Sequence, residues 1–261
     1  MRVFIYFAHF QKMLIKLMPL ALYNKIRRKY KKILYLYYSG NKFACPFCGG
    51  HYKKFLSYGR IPRPNVRCPY DDSLGRHRLL WIYLMKEINF YQGSYRLLHF
   101  APEDCFQNYF KTISNLQYVS ADLNSPKAMI KMNITNIKYK TNSFDFIICL
   151  QVLEHVLDDT KAMRELCRVL KPGGIAFLQF PINYKLEKTF EDETITSPED
   201  RVKFFGQSDH VRIYGPDFKE RLKSAGFHVN VEKCSNFLSD NNIKKFALNR
   251  SNEIIVCTKL K

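Results

Sequence analysis

A run of amide, acidic and imidazole side chains directly follows an apolar strand. Residues Phe144–Leu150 (FDFIICL) are almost entirely apolar, as expected of a strand that is buried on both faces of a parallel sheet. The run at 151–156 (QVLEHV) begins at the next residue, so Glu154 and His155 lie just beyond the strand end. Ligands of open parallel sheets bind in the crevice at this end of the strands. These side chains are therefore predicted to belong to an active site.

A helix and a second strand complete a βαβ unit after this run. The helical stretch closes at residues 168–174 (RVLKPGG), where Pro and Gly stop a helix, and an apolar strand follows at 175–180. Together, the segments at this spacing resemble the class I S-adenosylmethionine-dependent methyltransferases over residues 95–258. The resemblance implies a Rossmann-like sheet, S-adenosylmethionine as the cofactor and an antiparallel final strand.

The alternation of predicted strands and helices favours a parallel sheet with helices on both faces. After a helix at 79–87, strands are predicted at Tyr95–Phe100, 117–121, 130–134, Phe144–Leu150, 175–180, 227–232 and 253–258. The predicted fold class is α/β: a Rossmann-like class I methyltransferase sheet with helices on both faces, plus a small N-terminal zinc-ribbon-like module and basic amphipathic helices. The predicted domains are residues 1–40, 41–78 and 79–261.

Three strand ends supply candidate cofactor ligands. Asp122 follows the second strand, about twenty residues after the first strand end, where a carboxylate can accept ribose hydroxyls; the alternative is a turn or helix-cap aspartate. At the third strand end the family often has an acidic residue for the adenine amino group. Asn133 keeps a carbonyl acceptor there, and Ile134 would cover the adenine face. The predicted cofactor-binding residues are His99, Phe100, Ala101, Pro102, Glu103, Asp122, Leu123, Asn133, Ile134, Gln151, Val152 and Glu154.

The loop after the first strand departs from the family pattern. Most members have a glycine-rich turn there, whereas this chain reads HFAPE at 99–103. Loss of glycine removes backbone conformations with positive φ and adds side-chain bulk. Ala101 is nevertheless small, Pro102 fixes a turn, and Glu103 offers a carboxylate to the amino end of the cofactor. We interpret the loop as altered rather than lost, and a degenerate domain that binds no cofactor is the alternative.

Two histidines are candidates for the acceptor side of a methyl transfer. His210 is the first choice for a general base, because Asp209 is adjacent and Arg212 is close enough to orient it. A structural hydrogen bond is the alternative for His210, while His155 either shares the catalytic role or caps the next helix. The charged segment 184–201 is either a cover over the acceptor pocket or an unstructured insertion, and it contains Glu191 and Asp192 as weaker candidate bases.

Cysteines near the N-terminus have the spacing of metal knuckles. Cys45-Pro-Phe-Cys48 and Cys68-Pro-Tyr-Asp71 are two similar turns, as in zinc ribbons, with a carboxylate in the fourth position. The predicted structural zinc ligands are Cys45, Cys48, Cys68 and Asp71. Alternative fourth ligands are His51, Asp72 and His77, and a relic ribbon without metal is the other interpretation. Cys149 and Cys257 lie in predicted strands and Cys167 in a predicted helix, which favours a reducing, cytoplasmic compartment over a disulfide framework.

The positive charge of the chain is concentrated at its N-terminus. The formal net charge is +19, yet residues 1–70 hold fifteen Lys and Arg and no acidic residue, while the remainder carries only +4. Residues 1–39 predict two basic amphipathic helices divided at Pro19, and the second has an apolar face formed by Leu22, Tyr23, Ile26, Tyr30, Ile33, Leu34 and Tyr37. Such a helix either lies on an anionic membrane or packs on the catalytic domain.

These features predict a cytoplasmic methyltransferase, peripheral to the membrane, that acts on a small-molecule or glycan acceptor. One alternative keeps the enzyme but assigns the basic arm and the ribbon to an RNA or protein substrate. The other is a non-catalytic nucleic-acid-binding ribbon protein with a degenerate Rossmann-like domain. Nucleic acid is the less favoured partner, because the arm has no recognisable base-stacking module.

Overall fold

The computed structural model describes residues 20–88, 90 and 92–260. The chain divides into two compact units. The first contains the residues up to Arg78 together with Asn241–Leu248, and the second contains Leu79–Asp240 and the residues from Asn249 onward. The first of the two predicted basic helices lies outside the described residues. No helix in the described part of the chain is both long and apolar enough to cross a membrane.

The first unit combines one helix with two small hairpins. Helix α1 (Leu20–Tyr38) leads directly into strands β1 (Ser39–Ala44) and β2 (His51–Tyr52), which pair antiparallel, followed by the antiparallel pair β3 (Leu56–Tyr58) and β4 (Arg63–Arg67). A small core of Cys45, Tyr52, Phe55 and Cys68 lies between them. Arg78 donates to the carbonyls of Phe246 (2.8 Å) and Ser73 (2.8 Å), and so ties the separate segment Asn241–Leu248 to this unit.

The remaining elements follow in chain order. They are α2 (Gly75–Lys86), β5 (Tyr95–Phe100), α3 (Asp104–Phe110), β6 (Leu116–Asp122), β7 (Ile130–Lys131), β8 (Phe144–Leu150), a short 3-10 turn (Leu153–His155), α4 (Asp159–Val169), β9 (Leu170–Gln179), β10 (Phe190–Glu191), α5 (Pro198–Phe205), β11 (Arg212–Ile213), α6 (Phe218–Ser224), β12 (Phe227–Lys233), α7 (Cys234–Phe237), α8 (Asp240–Lys245) and β13 (Glu253–Lys259).

A seven-stranded sheet forms the centre of the second unit. Its strand order is β12-β13-β9-β8-β5-β6-β7; β13 runs antiparallel to both of its neighbours, and the other adjacent pairs are parallel. Strand β5 pairs with β6 on one side and β8 on the other, so the strand order reverses at β5. This is a Rossmann-like methyltransferase sheet, and the antiparallel final strand predicted from the resemblance is confirmed. The reversal creates the crevice in which such sheets bind ligands.

The segment 170–174 differs from its prediction. The sequence predicts a turn there before a strand at 175, whereas β9 already begins at Leu170. Leu170 pairs with Phe144, and the next paired residue, Ile175, pairs with Phe146. Five positions along β9 therefore lie opposite two positions along β8, which is a bulge in β9. Pro and Gly are tolerated in this bulge because its residues are released from regular pairing, and Gly173 takes a positive φ of 77° there. After the bulge, Ile175 to Gln179 pair with β8 without interruption.

Candidate functional site

The ends of three adjacent strands lie at the same level. Phe100, the last residue of β5, pairs with Ala121 of β6 and with Cys149 of β8. The next residues along these strands are Ala101, Asp122 and Leu150, so the predicted cofactor segments meet at one edge of the sheet. Burial raises the pKa of the Cys149 thiol, with further contributions from the carboxylates of Glu154 and Glu103. Glu103 follows the last residue of β5 by three positions, and Glu154 follows the last residue of β8 by four, so both lie just beyond neighbouring strand ends.

Two of these strand ends have left-handed backbone at residues other than glycine. Ala101 has φ of 49° and Gln151 has φ of 56°. The amide of Ala101 donates to the Ala121 carbonyl (2.9 Å), and that of Gln151 donates to the Gln179 carbonyl (2.7 Å). The expectation that a glycine-free loop loses positive φ is thus wrong for this chain: Ala101 adopts the conformation that glycine would provide. Strained backbone of this kind persists where its surroundings fix it, and such sites cluster around ligands.

The side chains of the first loop form a buried chain of hydrogen bonds. His99 is fully buried; its Nδ1 lies 3.0 Å from the Tyr118 hydroxyl and its Nε2 lies 2.9 Å from a Glu103 carboxylate oxygen. Phe100 and Pro102 are also buried. His99 thus orients the Glu103 carboxylate at the strand end, while Phe100 contributes to the hydrophobic core.

Asp122 forms a turn with one of its two carboxylate oxygens. Its Oδ1 accepts hydrogen bonds from the amides of Asn124 (2.7 Å) and Ser125 (2.6 Å). Within the described part of the chain, Oδ2 accepts no hydrogen bond, so the turn and a ribose contact are compatible on one side chain. Leu123, the next residue, is exposed.

The two residues predicted for the adenine side have different environments. Asn133 is exposed, and its Oδ1 accepts from the backbone amide (2.9 Å) and the hydroxyl (3.0 Å) of Thr135. Ile134 is buried in the core. The carbonyl oxygen of Asn133 is therefore already shared with a local turn, so a contact to an adenine amine would have to compete with Thr135.

Glu154, His155 and His210 come together beyond the end of β8. One ligand-type atom from each side chain lies within 4.8 Å of the others, and the two imidazole rings are 4.7 Å apart at 86°. Glu154 (1% exposed) and His210 (4% exposed) are buried, while His155 is partly open to solvent. Burial lowers the pKa of His210 and the neighbouring His155 lowers it further; Asp209 and a backbone hydrogen bond to Phe205 act in the opposite direction. His210 is therefore favoured in its neutral form.

Contacts from β11 and from Val211, the residue before it, hold the two histidines together. The amide of Val211 donates to the Glu154 carbonyl (2.9 Å), and Arg212 Nη1 donates to the Leu153 carbonyl (2.9 Å). Asp209 and Arg212, expected as partners that orient His210, mainly contact other groups. The backbone carbonyl of Asp209 lies 3.1 Å from Nδ1 of His155, and Arg212 binds the turn that follows β8. The sequence did not indicate this anchoring role of Arg212.

The segment 184–201 contains ordered structure, with β10 paired antiparallel to β11 and α5 capped by Ser197. Glu191 accepts hydrogen bonds from Arg212 (2.8 Å) and Arg221 (2.9 Å). Buried Asp159 accepts from Arg221 (2.6 Å) and from the hydroxyl of Tyr214 (2.6 Å). These contacts give Glu191 a structural role and, through Arg212, fix the segment against the turn that carries His155.

The predicted metal ligands of the first unit also converge. Ligand atoms of Cys45, Cys48, Cys68 and Asp71 all lie within 4.8 Å of one another. Cys45 Sγ is 2.9 Å from Asp71 Oδ2, and the sulfurs of Cys48 and Cys68 are 3.8 Å apart. No disulfide joins any of the eight cysteines. Three sulfurs and a carboxylate oxygen at this spacing match the donor set of a structural zinc site.

The two knuckles have the same backbone geometry. In the first, the Cys45 amide donates to the Gly50 carbonyl (2.9 Å) and the Gly49 amide donates to the Cys45 carbonyl (2.9 Å). In the second, Cys68 donates to Ser73 (2.9 Å) and Asp72 donates to Cys68 (3.2 Å). Gly49 and Asp72 occupy equivalent positions and have similar positive φ, 67° and 63°. Asp71 therefore stands where the first knuckle has its second cysteine, Cys48.

Protonation in this cluster depends on the neighbouring ligands. Burial raises the pKa of the Cys45 and Cys68 thiols, and the hydrogen bond to Cys45 raises that of Cys48 to about 12. The pKa of Asp71 is lowered: burial raises it, but hydrogen bonds from Cys45 and Ser73 outweigh that effect. Without a cation the thiols are protonated around one carboxylate, and a metal would have to displace these protons.

Comparisons with known proteins agree with this sheet. Residues 108–178 match the family model described as a methyltransferase domain. The chain is 51% identical over 39 residues to a ubiquinone biosynthesis O-methyltransferase from Xanthomonas oryzae pv. oryzae, covering 15% of this chain and 16% of that protein. It is 29% identical over 133 residues to a ubiquinone/menaquinone biosynthesis C-methyltransferase from Francisella philomiragia, covering 46% of this chain and 48% of that protein. The chain thus spans at most about half the length of these curated relatives.

Among solved structures, the YcgJ protein from Bacillus subtilis is similar, with a TM-score of 0.46 and 15% sequence identity. The similarity covers 71% of this chain and 99% of that protein. The family match lies on the α3-to-β9 part of the sheet, where the candidate ligands follow the strand ends. Residues 108–178 therefore match a methyltransferase domain, and the sheet that contains them has the strand order of the class I S-adenosylmethionine-dependent methyltransferases.

Proposed function

We propose that this protein transfers a methyl group from S-adenosylmethionine to a small-molecule or glycan acceptor. The observation that carries the proposal is the alignment of three strand ends, which brings Glu103, Asp122 and Glu154 to one edge of the sheet. When bound, S-adenosylmethionine supplies an activated methyl group on a sulfonium. The protein's part is then to bind, to align the two reactants and to exclude water.

The residues present fit such a cofactor. Asp122 has a carboxylate oxygen beyond its own turn that would accept from ribose hydroxyls, and Glu103, held by His99, would accept from the amino group. The left-handed Ala101 keeps the loop after β5 in the conformation for which glycine is usually needed. Gln151, Val152 and Glu154 would line the other side of the crevice.

The two histidines are the residues that would contact the methyl acceptor. We assign His210 as the general base for a hydroxyl acceptor in the metal-free protein, and His155 as its neighbour at the partly open side of the pair. The lowered pKa of His210 supports this role, since a base must be unprotonated before it can accept a proton. His210 would accept the proton that the acceptor oxygen gives up on receiving the methyl group, while the cofactor would supply that methyl group and leave with the electron pair of the broken bond.

A small acceptor is supported by the relatives, whose names place them in ubiquinone or menaquinone biosynthesis. A location at a membrane surface is supported by α1. Its predicted apolar row is exposed at Leu22, Ile26, Tyr30, Ile33 and Tyr37. A different face of α1 contacts the ribbon: Arg27 and Lys31 pair with Asp72, and the Tyr35 ring lies 5.7 Å from that of Tyr52. The exposed row with its flanking lysines would therefore be available to lie on anionic lipid.

We infer that the cysteine cluster holds a structural zinc ion. The matched geometry of the two knuckles supports Asp71 as the fourth ligand, in the position equivalent to Cys48. The alternatives fit less well. Asp72 is engaged with Lys31 and Arg27, and Nδ1 of His77 accepts a hydrogen bond from the Leu74 amide (3.2 Å). A zinc ion would link the two knuckles across the small core of the first unit.

Calorimetric titration with S-adenosylhomocysteine tests the enzyme proposal. We expect binding to the wild type and a loss of roughly 10- to 100-fold in affinity for Asp122→Ala, because a hydrogen bond to a charged group contributes about 1.5–3 kcal/mol. Glu220→Ala, which removes an exposed carboxylate on α6, is the matched control and should retain wild-type affinity. The proposal fails if the wild type does not bind, or if Asp122→Ala binds as tightly as the control.

A further inference from the structure

The carboxylate and two imidazoles beyond the end of β8 are suited to more than proton transfer. Glu154, His155 and His210 offer one oxygen and two nitrogens, all within 4.8 Å of one another. Two imidazoles and one carboxylate, with positions left open for water or substrate, are a known ligand set for a divalent cation such as zinc. We propose that these three residues bind a divalent transition-metal cation, zinc being the best match, at the acceptor end of the crevice.

The separation of the ligand atoms is close to what such an ion requires. Zinc bonds of roughly 2.1 Å in a tetrahedral arrangement place ligand atoms about 3.4 Å apart. The ligand atoms now lie within 4.8 Å of one another, so side-chain movements of about 1 Å would bring them to the separation that zinc requires. The backbone need not move, because Val211 and Arg212 already bind the carbonyls of Glu154 and Leu153.

His155 has the outer contact that a metal-binding imidazole uses. Nδ1 of His155 lies 3.1 Å from the Asp209 carbonyl and 3.4 Å from its carboxylate, so it can donate there and leave Nε2 as the ligand. Such a contact fixes the tautomer and the ring orientation of a ligating histidine. The backbone next to His210 is held by the Val211 amide, which donates to the Glu154 carbonyl (2.9 Å).

The surroundings also favour a cation with an open side. Glu154 and His210 are buried, so a divalent ion would be partly shielded from water and would compensate the buried carboxylate. His155 is partly exposed, and that side is open to an acceptor. An acceptor hydroxyl bound there would lose its proton more readily. This use in methyl transfer rests on the proposed function, whereas metal binding itself does not.

Titration of the purified apoprotein with Co²⁺ tests the inference, because the absorption spectrum of bound cobalt reports which atoms are its ligands. We expect one ion with a thiolate charge-transfer band, from the cysteine cluster, and a second ion without that band. His210→Ala should lose only the second ion and Cys45→Ser only the first. His228→Ala, at an exposed histidine on β12, is the matched control and should bind both.

The outcomes separate the metal inference from the proposed function. A wild type that binds only the thiolate-ligated cobalt, or a His210→Ala protein that still binds both ions, overturns the metal site. S-adenosylhomocysteine binding to the wild type is measured in parallel. If it occurs without the second cobalt, only the metal inference fails; if the second cobalt binds but S-adenosylhomocysteine does not, only the proposed function fails.

Discussion

At the scale of single residues, the crevice depends on two strained positions. Left-handed backbone costs a residue with a Cβ atom roughly 1–2 kcal/mol, yet both Ala101 and Gln151 adopt it, at the ends of neighbouring strands β5 and β8. Each is fixed by an amide hydrogen bond to the adjacent strand. The strain is therefore a property of the strand ends that form the crevice, and substitution can measure it.

We expect Ala101→Gly to raise the free energy of unfolding by about 0.5–1 kcal/mol. Relief of the strained φ outweighs the greater freedom of glycine in the unfolded chain. Urea titration followed by the fluorescence of Trp81, the single tryptophan, reports on the second unit, because this ring is buried against Tyr109 and Phe106. The control Ala162→Gly, inside helix α4, should instead lower stability by about 1 kcal/mol or more. Equal losses for both variants would contradict this account of the strain.

The pair of His155 and His210 shows where prediction from the sequence ends. Each residue was a candidate by type and position, and the strand-end rule predicted the place of His155. Their contact depends on Arg212, which reaches from β11 to the carbonyls that follow β8. Arg212 lies 57 residues after His155 in the chain, and only the folded structure shows this arginine as the connection.

At the scale of elements, helix α4 supports the loop that follows β7. Arg168 binds both carboxylate oxygens of Glu165 (2.7 and 2.8 Å) and donates to the carbonyls of Tyr139 and Ile137. Glu165 also accepts from the Ile137 amide (2.8 Å). The loop 132–139, which contains Asn133, is thereby fixed to the helix that follows the turn Leu153–His155.

Glu165→Gln should weaken the second unit in a pH-dependent way. The hydrogen bond from Arg168 lowers the pKa of Glu165, burial opposes this, and the Ile137 amide lowers it further. The stabilisation is therefore present above the pKa of an unfolded glutamate, about 4.3, and is lost as the pH falls through the lower pKa of the folded state. We expect the variant to lose about 1 kcal/mol at pH 7 and much less near pH 3, by urea titration followed by Trp81 fluorescence.

The matched control for this prediction is Glu187→Gln, which changes an exposed carboxylate away from the contacts of Glu165 with Arg168 and Ile137. It should keep the wild-type stability at both pH values. A Glu165→Gln deficit that is the same at pH 7 and pH 3 would show that packing, and not the charged hydrogen bonds, is responsible.

The sequence predicted the bounds of some strands and helices more accurately than those of others. Strands β5 and β8 have the predicted bounds, because the mostly apolar runs YRLLHF and FDFIICL end where the backbone turns at Ala101 and Gln151. The predicted start of β9 was wrong because the Pro and Gly residues that were expected to stop the helix lie in a bulge of the strand itself. The packing of Asn241–Leu248 with the first unit depends on Arg78, far away in the sequence, and no local pattern encodes it.

At the scale of the whole molecule, most of the positive charge lies in a different part of the chain from the methyltransferase sheet. The acid-free stretch up to Tyr70 carries fifteen basic residues, whereas the methyltransferase sheet lies in the nearly balanced remainder. Helix α1, about 28 Å long at 1.5 Å per residue, uses one face for the ribbon and leaves an apolar row exposed. This separation is the physical basis for proposing that α1 holds the enzyme at a lipid surface.

Flotation with vesicles tests that role of α1. We expect the wild type to float with phosphatidylcholine vesicles that contain phosphatidylserine, and not with phosphatidylcholine alone, because both the lysines and the apolar row contribute. The double variant Ile26→Gln and Ile33→Gln should reduce recovery about tenfold, since each inserted isoleucine contributes on the order of 1 kcal/mol or more. Ile61→Gln, at an isoleucine 82% exposed between β3 and β4, is the matched control and should float like the wild type. Wild-type protein that stays at the bottom of the gradient but binds RNA in a strongly salt-dependent way would assign α1 to nucleic acid instead.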